Sequence, residues 1–144
     1  MKQLSELDSF LTAYAPMEGI SKGIAPSDAL KACKLGAVIL DIREEDFTLY
    51  KQFQVPEVLY LPLSKADDLI ENLPDDCWLI VADAAGNFSR DFVQRLIESG
   101  LSTICILSGG IVDWERAGMP VSTDVSKELS GSCVCQLKKR NLNN

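Results

Sequence analysis

The chain has 144 residues, of which 47% are hydrophobic and 24% charged, as is typical of a single globular domain with its own core. Its formal charge of −7 argues against nucleic acid or an anionic membrane as the main partner, because both need a basic face. The sequence contains no histidine, which removes the most common general base and most catalytic zinc sites.

The first ten residues, MKQLSELDSF, carry acids where a signal peptide would have an apolar core, and no apolar run approaches the ~20 residues of a membrane span. We therefore expect a cytoplasmic protein. Its five cysteines are an odd number, which argues against a pure disulfide framework in that setting. Three of them, Cys33, Cys77 and Cys105, lie in or beside apolar runs and are predicted to be inert core or half-buried thiols.

Short apolar runs alternate with segments of helical periodicity along the chain. The runs predict strands at residues 20–24, 37–40, 58–61, 77–82 and 103–107. Helices are predicted at residues 3–14, 26–35, 64–73 with Ser64 as N-cap, the segment ending at Gly100, and 111–117, with a short helix or turn at 44–53. This alternation predicts a wound parallel α/β sheet with helices on both faces.

The functional crevice of such a sheet lies at the carboxyl ends of its strands. Residues 79–92, LIVADAAGNFSRDF, read as a strand, a tight loop and a helix. The loop would point its backbone N–H groups at one spot, where the helix dipole favours an anion. The residue at that spot is Asp83, and the question of function depends on its carboxylate.

Three ordered motifs make the chain resemble a rhodanese-like domain. VILDIR at 38–43 is similar to the family's strand that ends in Asp-x-Arg, and QVPEVLYLPL at 54–63 is similar to its His-Ile-Pro-Gly-Ala-x-x-Ile-Pro-Leu stretch, with Gln for His and Glu for Gly. LSGGIVDWERAGMPV at 107–121 matches the closing Gly-Gly-x-x-x-Trp-x-x-x-Gly-x-Pro signature. The resemblance covers the rhodanese-like domain at 20–121, and the predicted helical extension at 1–19 and C-terminal tail at 122–144 lie outside it.

The resemblance implies a sulfurtransferase site, in which a loop cysteine takes sulfane sulfur from thiosulfate or a persulfide and passes it to cyanide or a thiol. Aligning Gly86 with the family's loop glycine puts Asp83 on the cysteine position and Phe88 where an arginine is often found. The corresponding loop comprises Asp83, Ala84, Ala85, Gly86, Asn87, Phe88, Ser89 and Arg90.

Three hypotheses for Asp83 remain open. Its carboxylate accepts the loop N–H bonds and fills the loop; or the loop binds an anion, with Arg43 and Arg90 presenting charge; or Asp83 is a nucleophile of the aspartyl-phosphate kind. The last hypothesis lacks a clear metal site, since Asp41 and Asp91 are the only nearby candidates. Asp41 and Arg43 are expected to support the pocket as an ion pair or by binding loop amides. Asp91 suits the helix dipole without any further role.

The tail carries a second cysteine feature, Cys133-Val134-Cys135, with Lys138, Lys139 and Arg140 close by in the sequence. In an extended chain the two thiols would point the same way, and the basic residues would favour their thiolates. They are interpreted as a sulfur relay or redox pair, as half of a metal site completed by a second chain, or as incidental cysteines.

Two functions follow from the sequence. The first is a non-catalytic rhodanese-like binding or regulatory module, without a cofactor, for a protein partner or a small sulfur-containing anion. The alternative is a sulfurtransferase or thiol-redox sulfur carrier that uses Cys133 and Cys135. Whether the chain is an enzyme, and what its oligomeric state is, are left open by the sequence.

Overall fold

A five-stranded parallel sheet forms the centre of the molecule in a computed structural model that describes residues 5–127. The strand order is β1-β6-β5-β2-β4. The strands are β1 Gly23–Ile24, β2 Val38–Asp41, β4 Val58–Tyr60, β5 Leu79–Ala82 and β6 Ile104–Leu107. A separate antiparallel pair joins β3 Lys51–Phe53 to β7 Val121–Thr123. The predicted wound parallel α/β sheet is thus confirmed.

Helices cover both faces of the sheet. They are α1 Glu6–Leu11, α2 Pro26–Lys34, α3 Glu45–Tyr50, α4 Ala66–Leu69, α5 Ser89–Glu98 and α6 Gly110–Arg116. Single 3-10 turns occur at Thr12–Tyr14, Leu63–Lys65, Ile70–Asn72 and Val125–Lys127. No helix within residues 5–127 has the length and apolar character needed to cross a membrane.

The central strands are buried on both faces, as parallel strands require. On β2, Ile39 packs into one apolar cluster with Trp78 and Trp114, while Val38 and Leu40 pack into a second cluster with α5. Leu11 of α1 is fully buried in the first cluster. Both sides of the sheet therefore contribute to the core, and the carboxyl ends of the strands are left for the loops.

Several predicted elements differ in the structure. The helix predicted at 64–73 is a 3-10 turn, the short α4 and another 3-10 turn, and Ser64 does not cap it. Instead, the Ser64 hydroxyl donates to a carboxylate oxygen of Glu44 at 2.6 Å, so this side chain is committed to a tertiary contact. The predicted helix at 3–14 and strand at 20–24 are shorter than expected, and β3 and β7 were not predicted from the sequence.

Candidate functional site

Two carboxylates lie at the same edge of the sheet, where adjacent parallel strands end. Asp41 is the last residue of β2 and pairs in register with Ala82, the last residue of β5. Asp83 follows directly. Asp41 is fully buried, and Asp83 is only 2% exposed. The site is therefore built around buried anionic groups, and their hydrogen bonds decide what each can do.

The Asp83 carboxylate fills the loop that follows β5. It accepts N–H bonds from Phe88 at 2.7 Å and from Ser89 at 3.1 Å on Oδ2, and from Gly86 on Oδ1. The last two residues of this loop are the first of α5, so the donors converge at the positive end of a helix dipole. The Asp83 carboxylate thus occupies the position at the start of α5 where an anion would bind. A second anion would meet its repulsion.

The loop is held from behind by the start of α6. The amides of Ile111 and Val112 donate to the carbonyls of Asp83 at 2.9 Å and Ala84 at 3.0 Å. Gly110 has a φ of +64°, and a Cβ there would lie 2.5 Å from the Asp83 carbonyl oxygen. Only glycine allows this approach, so Gly110 permits the close contact between the start of α6 and the loop.

Asp41 and Arg43 form a buried two-pronged ion pair. The Arg43 Nε donates to Asp41 Oδ1 at 3.0 Å and its Nη2 to Oδ2 at 2.8 Å, while the Arg43 amide also donates to Oδ1 at 3.1 Å. The same Nη2 donates to the Lys51 carbonyl at 2.8 Å. Arg43 is only 8% exposed. Asp41 neutralises the charge of Arg43. The hydrogen-bond donors of Arg43 connect the end of β2 to β3.

A mainly apolar cavity of about 280 Å³ opens beside the loop. Most of its lining is hydrophobic, with Phe88 62% exposed and Phe47 49% exposed at its mouth. The lining residues are Ile42, Arg43, Glu44, Phe47, Leu63, Asp83, Ala84 and Phe88. Among them Arg43 alone is cationic and is already paired, so this apolar cavity offers no uncommitted positive charge from the described residues.

The structure does not bring Arg43 and Arg90 together. Arg43 lines the apolar cavity, whereas Arg90 is exposed and lines a second cavity on the Gly109 side of the loop. Asp91 is likewise exposed, whereas Asp41 is fully buried. Within residues 5–127 no group of three or more Cys, Asp or Glu side chains is arranged to hold a metal ion.

The cysteines of the described fold are poor nucleophiles. Burial raises the pKa of Cys33 to about 12 and that of Cys105 to about 12, the latter with a smaller contribution from Cys33. Burial also raises the pKa of half-buried Cys77, with Asp76 and Glu57 adding to the effect. Since the thiolate is the reactive form, none of these three is suited to sulfur chemistry. Cys133 and Cys135 lie outside the described residues.

Several contributors to this edge of the sheet could not be identified from the sequence. One is the Lys51 carbonyl, which receives Arg43 and lies in an element that carried no strand signal. Another is Ser89, whose fully buried hydroxyl has no hydrogen-bond partner among residues 5–127. Ser21, Lys22 and Ser108 line the cavity that Arg90 lines. These residues are identified by their burial and their long-range contacts. The local periodicity of the sequence shows neither property.

The fold and site define a parallel α/β domain with an anion-accepting loop between its central strand and a helix. The sequence matches the rhodanese-like domain family over residues 25–117. The chain belongs to this family.

Among its relatives, the thiosulfate sulfurtransferase GlpE of Haemophilus influenzae is 29% identical over 103 residues, covering 71% of this chain and 95% of the relative. A sulfurtransferase of Allochromatium vinosum is 27% identical over 70 residues, covering 49% of this chain and 65% of the relative.

Solved structures agree with the family assignment. A rhodanese-related protein of Thermoplasma volcanium has a TM-score of 0.64 and 27% identity, covering 71% of this chain and 98% of that one. A NAD-dependent persulfide reductase of A. fulgidus has a TM-score of 0.53 and 26% identity, covering 64% of this chain but only 16% of that one. The fold is thus that of a domain that also occurs inside larger proteins.

Proposed function

We propose that this chain is a rhodanese-like binding module whose loop does not itself carry sulfur. The observation that supports it most directly is the Asp83 carboxylate, which accepts hydrogen bonds from three loop amides. A carboxylate has no thiol sulfur with which to form a persulfide. It also occupies the donors that would otherwise stabilise a thiolate or a persulfide.

The apolar cavity is the proposed binding surface. Its hydrophobic lining, and the pairing of Arg43 with Asp41, favour an apolar group of a protein partner over a small sulfur-containing anion. A free dianion would have to enter a cavity in which Arg43 is already neutralised by Asp41. It would also be repelled by the Asp83 carboxylate, because Asp83 lines the same cavity. A cytoplasmic setting for this interaction remains an expectation from the sequence.

The alternative is a sulfurtransferase or thiol-redox carrier in which Cys133 and Cys135 replace the loop cysteine. The sulfurtransferase names of the relatives support this alternative better than they support a non-catalytic module. The high pKa values of Cys33 and Cys105 also direct any sulfur chemistry away from the core. A tail thiolate would attack the sulfane sulfur of thiosulfate and release sulfite; an acceptor thiolate would then take the outer sulfur and regenerate the tail thiolate.

Intact-protein mass spectrometry after incubation with thiosulfate, followed by peptide mapping, separates the two functions. The binding module is expected to gain no sulfur, or only slow modification spread over the cysteines. A carrier would gain one sulfur atom at Cys133 or Cys135 and lose it when an acceptor thiol is added.

The matched variants are Cys133→Ser/Cys135→Ser and, as a control, Cys77→Ser. Sulfur loading that the double variant abolishes and the control retains would refute the non-catalytic proposal in favour of the carrier. Loading that none of these changes affects would overturn the carrier.

A further inference from the structure

A second cavity, of about 290 Å³, lies across the Asp83 loop from the apolar cavity. Its polar residues come from the segment leading into β1, the end of β6 and the start of α5: Ser21, Lys22, Ser108 and Arg90. We propose that this polar cavity binds a small molecule carrying a phosphate or sulfate group. The proposal uses neither the Asp83 carboxylate nor the apolar cavity, and it goes beyond the proposed function.

The charge of the polar cavity is the reverse of that of the whole chain. The chain has a net charge of −7, yet the described residues that line the cavity include two cations and no carboxylate. Lys22 donates one N–H to the Ala13 carbonyl at 3.1 Å, which leaves two donors on its ammonium group. Arg90 forms no ion pair with any residue in the described range. Both charges are thus available to an anion.

Two hydroxyl groups add neutral donors. Ser21 is only 9% exposed, and its hydroxyl makes no hydrogen bond to residues 5–127. Ser21 lines the polar cavity and has no protein partner among residues 5–127, so its hydroxyl is available to donate to a ligand there. The Ser108 hydroxyl lies against Gly23, where an added Cβ would come within 2.5 Å of its oxygen. Glycine at 23 therefore leaves the space that the Ser108 hydroxyl occupies.

The volume and the donor set together define the ligand class. Four donor groups, two charged and two neutral, match the several acceptor oxygens of a tetrahedral oxyanion. A volume of about 290 Å³ is close to the lower end for pockets that hold small molecules, and it exceeds the needs of a bare ion. The geometry therefore favours a small phosphate or sulfate monoester over an inorganic ion alone.

Inorganic phosphate is the first probe, added to the full-length, ¹⁵N-labelled protein at constant ionic strength set with chloride. Saturable amide shifts are expected at Lys22, Gly23, Gly86 and Gly109. Arg90→Gln is expected to weaken binding roughly tenfold, because a charge-assisted hydrogen bond is lost. Ser21→Ala removes a hydroxyl without changing the charge and should weaken binding by roughly three- to tenfold.

Arg95→Gln is the matched control, since Arg95 is on the same helix but pairs with Asp67 at 2.6 Å away from the cavity. It makes the same change in net charge and should leave the affinity unchanged. Equal weakening by Arg90→Gln and Arg95→Gln, or linear shifts that chloride reproduces, would overturn the proposal. A phosphomonoester such as glycerol phosphate should bind more tightly than inorganic phosphate. Sulfur loading of the tail cysteines is a separate readout, so the proposed function can fail without affecting this result.

Discussion

Asp83 determines the chemistry available to the loop, because its position and hydrogen bonds are those of a bound anion. Three backbone amides donate to its carboxylate. The donors are held by the backbone, so they would persist when the side chain is exchanged for another that carries negative charge. The same amides that now donate to a carboxylate should therefore stabilise a thiolate.

Asp83→Cys tests this statement. The new thiol is expected to have a pKa below that of an unperturbed cysteine, because the amides and the dipole of α5 favour the thiolate. The measurement is the pH dependence of iodoacetamide alkylation at this position, resolved by peptide mapping. Asp75→Cys, at an exposed turn position, is the control and should titrate near the ordinary value.

Equal inflection points in the two variants would show that the loop amides do not act on a thiol. A folded Asp83→Cys variant with a lowered pKa should also gain thiosulfate sulfurtransferase activity if the pocket is otherwise intact. If the pKa is lowered but no activity appears, the neighbouring cavity has also diverged from that of an active sulfurtransferase. Its apolar lining is in keeping with such a divergence.

At the scale of elements, the contact between the loop and α6 holds the site together. Gly110 combines a φ of +64° with a Cβ direction that points into the Asp83 and Ala84 carbonyls. Gly118 has a similar φ of +83°, but apart from its chain neighbours no atom of the described residues lies within 4 Å of the point that a Cβ would occupy there. A comparison of alanine substitutions at Gly110 and Gly118 therefore distinguishes the cost of backbone strain from the cost of steric overlap.

Gly110→Ala is expected to destabilise the protein by about 1–3 kcal/mol more than Gly118→Ala, because overlap with the loop adds to the strain of a left-handed backbone. Gly118→Ala should cost about 1–2 kcal/mol from that strain alone. Urea unfolding followed by tryptophan fluorescence measures both. Equal losses would indicate that the loop moves freely away from α6.

Elements with a strong local signal could be predicted from the sequence, and those made by distant contacts could not. The apolar runs at 79–82 and 104–107 are strands whose residues are buried on both faces, except for the half-buried Ile106. Ser64 has the chemistry of an N-cap, but the Glu44 carboxylate competes for its hydroxyl. β3 and β7 are three residues each and exist because they pair with one another, 68 positions apart at Phe53 and Val121.

The candidate site likewise has one part that the sequence predicts and one part that it does not. The Asp83 loop follows from a strand, a tight turn and a helix in one stretch of sequence. The polar cavity has its residues in three separate segments, and only the folded chain shows that the Ser21 hydroxyl lacks a partner among residues 5–127. The partition into an extension at 1–19, a domain at 20–121 and a tail at 122–144 remains a proposal, with α1 packed into the core of the described fold.

At the scale of the whole molecule, the buried thiols link stability to pH. Cys33 and Cys105 have pKa values of about 12 in the folded protein, raised by burial from an ordinary value of 9.0. Between these values the unfolded chain releases protons that the folded chain keeps. The folded state is therefore favoured fully below pH 9 and loses stability as the pH rises toward 12.

The free energy of unfolding should fall by up to about 1.4 kcal/mol per pH unit for each such thiol above about pH 9. Chemical denaturation at about pH 8, 9 and 10 measures the slope. Cys33→Ala removes one titrating group and should flatten the decline, even though it lowers stability at about pH 8 by leaving a small cavity. An unchanged slope would contradict the burial of this thiol.

The last described segment also has a consequence for the tail. Residues Val125–Lys127 pack on α3, and the Asp124 amide donates to the Tyr50 carbonyl at 2.7 Å, one turn of helix from Phe47 at the mouth of the apolar cavity. Cys133 follows six residues after Lys127, a span of at most about 22 Å. If Cys133 carries sulfur as in the alternative function, an encounter of its thiol with the cavity of the same chain would be intramolecular. Dilution would not weaken such an encounter, whereas it would separate two chains that exchange sulfur between them.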